Sequence, residues 1–239
     1  MKCTRMNRIA EYLEQIEDKK ALLQYLQQYM TAERSIRFQD VLRFRTRHFT
    51  VAVEDVFKER NASAIIRTAD CFGIQDVHII ENQNEYQISE NISKGAEKWV
   101  NVHIYDDRSN NTGACISDLK NMGYQIVATS PHASGSGPDD FDISRKSAFF
   151  LGGEKDGLTK EVLEQADGYI KIPMYGFTES YNISVAGALM LYQLTRRLHQ
   201  SDINWKLTIE EQLELQLDWT IKTIASSENL IKKYLENRP

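Results

Sequence analysis

The chain is poor in the features that mark several large protein classes. Its cysteines, Cys3, Cys71 and Cys115, form no CxxC pair, and their odd number argues against a disulfide framework. No run of residues approaches the ~18 apolar positions of a membrane span. The N-terminal stretch MKCTRMNRIAEYLEQIED carries acids where a secretory signal needs an apolar segment, so the sequence predicts a cytoplasmic protein. Gly135 and Gly137 follow an apolar run, but Asp140 stands where a dinucleotide fingerprint needs its third glycine. Gly152 to Gly157 lacks the Lys-Ser/Thr pair of a phosphate-binding P-loop, and no GxSxG elbow occurs. His48, His78, His103, His132 and His199 show no metal-ligand spacing, and the sequence predicts no metal. Redox, NTPase and hydrolase chemistries therefore lack their usual carriers.

What remains is an ordinary globular composition: 239 residues, 41% hydrophobic and 26% charged, with 29 basic against 34 acidic side chains. The net charge of −5 supplies no general attraction for nucleic acid, so any such binding must come from local charge.

Hydrophobic periodicity predicts an amphipathic helix over 7–33, with Ile9, Leu13, Ile16, Leu23, Leu26 and Met30 on one stripe. Residues 34–48, RSIRFQDVLRFRTRH, concentrate Arg34, Arg37, Arg43, Arg45 and Arg47 around Phe38 and Phe44. Arginine beside aromatics suits phosphate contact and base stacking. A solvated connection from helix to strand fits the same composition. From 49 to about 200, apolar runs at 49–53, 77–80, 100–105, 124–129, 147–152 and 169–173 alternate with helical stretches around 61–72, 112–122, 159–166 and 183–199. This pattern predicts an α/β domain over 49–200, a mostly parallel sheet with helices on both faces. The tail, 201–239, has no glycine and carries a helical stripe of Leu213, Leu217, Ile221, Ile224, Ile231 and Leu235. The helical extensions 1–48 and 201–239 are expected to pack on each other or on a second subunit.

Three stretches carry unusual chemistry. In Asn61-Ala-Ser-Ala-Ile-Ile-Arg67-Thr-Ala, an N-cap residue opens a helix whose apolar neighbours predict burial, so Arg67 either pairs with a surface carboxylate or serves a site. Leu151-Gly-Gly-Glu-Lys-Asp-Gly157 follows a strand with more glycines than a plain turn needs, which points to a ligand. Ile172-Pro-Met-Tyr-Gly-Phe-Thr-Glu-Ser-Tyr-Asn-Ile-Ser-Val-Ala-Gly187 is a loop leading into a helix rich in small residues. Each loop lies at the carboxyl end of a predicted parallel strand, where open α/β sheets bind ligands.

In order and spacing, N-x-S-A-I-x-R-T-A, G-x-E-K-x-G and I-P-M-x-G-x-x-E-S-x-N-x-S-V-A resemble the three motifs of the SPOUT class of knotted methyltransferases, in its SpoU/TrmH family, over about residues 49–200. The resemblance implies a C-terminal trefoil knot, a homodimer with its active site near the subunit interface, and S-adenosylmethionine as cofactor. It implies methylation of a ribose 2′-hydroxyl in RNA. The helical extensions favour a guanosine in the D-loop of tRNA over ribosomal RNA. A non-catalytic RNA-binding member is the third possibility, against which the intact motif residues argue. By the same resemblance Arg67 is the catalytic arginine, supported by Asn61, Glu154, Ser180 and Asn182. The cofactor lies against Thr129, Leu151, Gly152, Gly153, Ile172, Tyr181, Asn182 and Ser184, and Arg34, Arg37, Arg43, Arg45 and Arg47 are candidate RNA contacts. Tyr181 and Ile183 stand where the family usually has Leu and often has Val, and the bulkier Tyr181 bears on cofactor affinity rather than chemistry. Lys58, Glu59 and Arg60 replace the family's common proline and histidine ahead of Asn61.

Overall fold

A computed structural model describes residues 2–56, 59–86, 89–131, 135–153 and 156–237, with backbone alone at 2–7 and 59. The chain forms two compact units, one of Thr46–Lys206 and one of Met1–Arg45 together with Leu207–Pro239. The boundaries thus fall a few residues from the expected 48/49 and 200/201.

The larger unit is built on six strands: β1 (Phe49–Glu54), β2 (Asp76–Ile80), β3 (Asn101–Tyr105), β4 (Gln125–Thr129), β5 (Ser147–Gly152) and β6 (Gly168–Ile170). All pair in parallel, in the order β3-β2-β1-β5-β4-β6. Every residue of β1 is buried and β5 is buried up to Gly152, because helices cover both faces. In this unit α4 (Glu59–Cys71) and α8 (Ile183–His199) share one apolar cluster with the sheet, around Ile65, Ile66, Phe149 and Leu194. On the other face α6 (Asn111–Asn121) and α7 (Lys160–Gln165) pack Ile116, Leu119 and Val162 against Ala52, Ile126 and Phe150. The link from β2 to β3 holds a short helix, α5 (Glu90–Ser93), and a 3-10 turn (Ala96–Lys98), neither expected from the sequence.

β6 ends at Ile170 rather than at Pro173, because the chain there leaves the sheet toward the glycine- and aromatic-containing loop before α8. β5 is inserted between β4, the strand that precedes it in the chain, and the distant β1.

The smaller unit is helical throughout: α1 (Lys2–Glu14), α2 (Lys19–Gln27), α3 (Ala32–Leu42), α9 (Ile209–Thr223) and α10 (Ser227–Glu236). The single helix expected over 7–33 is interrupted, because Asp18 takes the backbone N–H of Ala21 at 2.9 Å and starts α2. Thr31 caps α3 in the same way, through the Arg34 N–H at 3.2 Å. A Thr208–Glu211 capping box opens α9. The terminal stripes meet within one chain: Ile9, Ile16, Leu23 and Leu26 pack with Leu217, Ile221, Ile224 and Ile231. They therefore do not need a second subunit for burial. No helix among the described residues is long and apolar enough to cross a membrane.

Candidate active site

The carboxyl ends of β4, β5 and β6 border a cleft of about 650 Å³. Its apolar lining includes Leu151, Leu158, Ile170, Ile172 and Met190, and the loop Glu179-Ser180-Tyr181-Asn182 also borders it. Thr129–Pro131, Gly152–Gly153 and Gly157 line it as well, the glycines with backbone alone.

The glycines of the β5–α7 loop have a structural reason. Gly157 has φ +68, and its N–H donates to the Gly153 carbonyl at 3.0 Å. A Cβ on Gly152 would lie 2.2 Å from the Gly157 carbonyl carbon. The loop folds back on itself so tightly that its own backbone, rather than a ligand, excludes a side chain at Gly152. The folded-back strip is what faces the cleft.

Of the residues expected to hold the cofactor, Thr129, Leu151, Gly152, Gly153, Ile172, Tyr181 and Asn182 line this cleft, and so does Ser180. Ser184 is not among the lining residues. Its hydroxyl and its N–H both donate to Asn182 Oδ1, at 2.6 and 2.9 Å, and Asn182 is the N-cap of α8. Ser184 therefore orients Asn182 instead of lining the wall. The Asn182 amide then reaches Asn61 Oδ1 at 3.3 Å, which joins the third motif to the first. The Thr129 hydroxyl donates to the Phe150 carbonyl at 2.7 Å, and the Tyr181 hydroxyl donates to the Pro173 carbonyl at 3.3 Å, closing the loop across its base. Asp156 and Glu179 bring carboxylate-bearing residues to the rim, and sequence reasoning missed both. Acids interleaved with motif glycines were the signal available.

Arg67 is not where burial of its helix predicted. α4 buries Ala62, Ile65, Ile66 and Ala69, whereas Arg67 and Cys71, one turn apart, are on its exposed side, and Arg67 does not line the cleft. Glu154 lies outside the described residues.

The arginines of 34–48 divide. Arg34, Arg37 and Arg43 are exposed, and Phe44 beside them is 60% exposed. Arg45 is only 1% exposed, with its guanidinium 5.3 Å from the Trp219 ring, so it is a core residue of the helical unit and cannot reach RNA from there. Arg47 donates to Asp76 Oδ2 at 2.9 Å and is largely buried, so it too is committed within the fold.

This geometry agrees with what the chain is similar to. The model of the SpoU rRNA Methylase family matches residues 48–192. A tRNA (guanosine(18)-2′-O)-methyltransferase of Borreliella burgdorferi is 41% identical over 209 residues, which are 86% of this chain and 94% of that protein. The enzyme of the same name from Escherichia coli K12 is 37% identical over 170 residues, 70% of this chain and 72% of that protein. The crystal structure of an A. aeolicus TrmH/SpoU tRNA modifying enzyme has a TM-score of 0.71 at 30% identity, covering 80% of this chain and 97% of that one. With its three motifs gathered at one end of a parallel sheet, the chain belongs to the SpoU methylase family.

Proposed function

We propose that the protein methylates the ribose 2′-hydroxyl of a guanosine in the D-loop of tRNA, position 18, using S-adenosylmethionine. The observation that carries this reading is the cleft itself. It is built from the residues that the family resemblance assigns to the cofactor, in a chain matching tRNA (guanosine(18)-2′-O)-methyltransferases along most of their length.

The cleft suits the cofactor in size and chemistry. A volume of about 650 Å³ is in the range of small-molecule sites. Leu151, Ile170, Ile172 and Met190 offer an apolar bed for adenine, and Glu179 and Asp156 stand at the rim for the cationic amine and sulfonium. When bound, S-adenosylmethionine supplies a methyl group on sulfur that leaves a neutral thioether behind, so no acid is required. The chain must then align the hydroxyl and ease removal of its proton. Using Arg67 as the base would demand about six pKa units, roughly 8 kcal/mol, at neutral pH. A lighter role is to grip the neighbouring phosphate and stabilise the developing alkoxide, while a phosphate oxygen or water takes the proton. Asn61, Asn182, Ser180 and Glu154 support the site in this reading.

The active form is a homodimer. Arg67, exposed and off the cleft of its own chain, completes the site of a second copy across a two-fold axis. An exposed apolar stripe on α8 supports this, with Val185, Leu189 and Tyr192 one turn apart at 45%, 43% and 54% exposure. The chain is knotted after β5. Supporting this, a segment after β4 pairs alongside the end of β6, with a parallel bridge from Ser136 to Ile170 and the Lys171 N–H on the Ser136 carbonyl at 3.0 Å. The helical unit serves tRNA binding through Arg34, Arg37 and Arg43, the enzyme works in the cytoplasm, and no metal takes part.

The test is nucleoside mass spectrometry after incubating the protein and S-adenosylmethionine with tRNA or with ribosomal RNA. 2′-O-methylguanosine is expected in tRNA only, and product in ribosomal RNA alone would overturn the assignment. Sedimentation equilibrium should give twice 27.6 kDa. A fully active 27.6 kDa species would refute the shared site.

A further inference from the structure

Glu54 closes the fully buried strand β1 and is 1% exposed. A carboxylate so deep in a fold needs several donors, because it can only accept. It has them. Oε1 accepts from the Thr112 hydroxyl at 2.7 Å and from the Thr159 hydroxyl at 2.8 Å, and Oε2 accepts from the Thr159 N–H at 2.8 Å. The Thr112 oxygen in turn accepts from the Asn82 amide at 2.9 Å. Glu54 is also paired in register with Gly152. The two ends of the loop from Gly152 to Thr159 are therefore held by one residue, the first through strand pairing and the second through its carboxylate. Gly152, Gly153, Asp156, Gly157 and Leu158 of that loop face the cleft.

The adjacent Asp55 extends the clamp. It takes the left-handed conformation, φ 50, and its Oδ1 accepts the N–H groups of Gln83 and Asn84, both at 2.8 Å. This fixes the turn that carries Asn82.

We infer that Glu54 is a positioning residue for the methyl-donor cleft: its buried carboxylate holds Thr159, and with it the Asp156–Leu158 part of the wall, where the cofactor can enter. The inference rests on the reading of the cleft given above. A neutral isostere exposes the requirement. Glu54→Gln keeps the volume, but its NH2 group must face either the Thr159 N–H or the two threonine hydroxyls, all of them donors in the native arrangement. At least one charge-assisted hydrogen bond is lost, an effect of roughly ten- to hundredfold in an equilibrium that depends on where Thr159 is held.

The experiment compares wild type, Glu54→Gln, Thr112→Val and Leu119→Ala, the last a core truncation on the same face of the sheet. S-adenosylhomocysteine is titrated by calorimetry, amide exchange is followed over 152–159, and KM and kcat are measured. In Glu54→Gln we expect affinity and loop protection each to fall about tenfold or more, KM for S-adenosylmethionine to rise, and kcat to stay within about threefold. Thr112→Val moves the same way by less, and decides the matter if Glu54→Gln does not fold. Leu119→Ala lowers the melting temperature and leaves affinity and loop protection unchanged. Unchanged loop protection in Glu54→Gln, or losses that only track melting temperature as in Leu119→Ala, would overturn the inference. If wild type binds no S-adenosylhomocysteine, the reading of the cleft falls, and loop exchange in the variants still decides the role of Glu54.

Discussion

At the amino-terminal end of the sheet, Asp76 opens β2 with its carboxylate saturated. It accepts from Arg47 at 2.9 Å and from the Asn101 amide at 2.9 Å, and His103 Nε2 lies 3.0 Å away. His78 stacks on His103 with ring centroids 4.8 Å apart, and burial together with the His103 charge pushes its pKa down to about 4. At the carboxyl end, β4, β5 and β6 lead into the cleft, which glycine-rich backbone, Ser180 and Glu179 help to line. One end pairs its polar side chains with one another. The other surrounds a cavity. Glu54 marks the border, since it is as saturated as Asp76 yet holds a loop that belongs to the open end.

The contrast can be broken most sharply at Arg67. Arg67→Ala should remove methyl transfer, a loss of at least about 10²–10³ in kcat, while S-adenosylhomocysteine affinity changes no more than about threefold. Single-turnover transfer with tRNA, paired with calorimetry, checks this, and wild-type-like turnover would sink the residue's assigned role.

Next comes the loop that only glycine can make. Gly152→Ala puts a methyl group into the Gly157 backbone, so the cleft should lose cofactor binding and the protein about 1–3 kcal/mol of stability. Gly137→Ala meets nothing within 4 Å and should be silent in both assays. Equal behaviour of the two variants would contradict the folded-back loop.

At the saturated end the expected effect is on stability alone. Burial by itself would raise the Asp76 pKa, but the His103 hydrogen bond, the Arg47 charge and Asn101 outweigh it and hold the carboxyl down from 3.8 to about 2. Depression of a carboxyl pKa on folding stabilises the folded state above its ordinary pKa, here by about 2 kcal/mol, and the gain is lost as pH falls toward 2. Asp76→Asn should therefore be less stable at pH 7, with a flatter acid limb in urea titrations, and should retain methyl transfer. A drop in kcat would show that the two ends are coupled.

The smallest effect concerns the arginines of the helical unit. Replacing Arg34, Arg37 and Arg43 together should weaken tRNA binding and flatten its salt dependence, by up to about 0.9 log–log unit for each duplex phosphate that is no longer neutralised. Arg45→Ala should instead lower the melting temperature, because its guanidinium packs on Trp219. An unchanged salt slope in the triple variant would make 34–43 a solvated face.

Much of this could be read in one dimension. β1 and β5 were visible because strands covered on both faces are nearly continuous apolar runs. The second and third motifs supply most of the cleft because each follows a strand, and parallel strands bring their carboxyl ends to one side. The break in the first helix was hidden by an apolar period that continues through Asp18, and α3 was hidden among arginines. Arg45 and Arg43 are two positions apart in the same basic stretch, yet one is buried against Trp219 and the other is exposed. Nothing local separates them, because Trp219 comes from the far end of the chain. The acid closing FTVAVE was the one available sign of Glu54, and only its partners Thr112 and Thr159 give it a meaning.

The strands, most helices of the larger unit and the motif loops are legible along the chain, because periodicity, capping and glycine spacing act over a few residues. Tertiary structure alone decided the insertion of β5 between β1 and β4, the meeting of the two terminal stripes, and which polar side chains are paired inside the fold. Those outcomes depend on partners distant in the chain, and a buried charge is identified only by the donors or rings that fold around it.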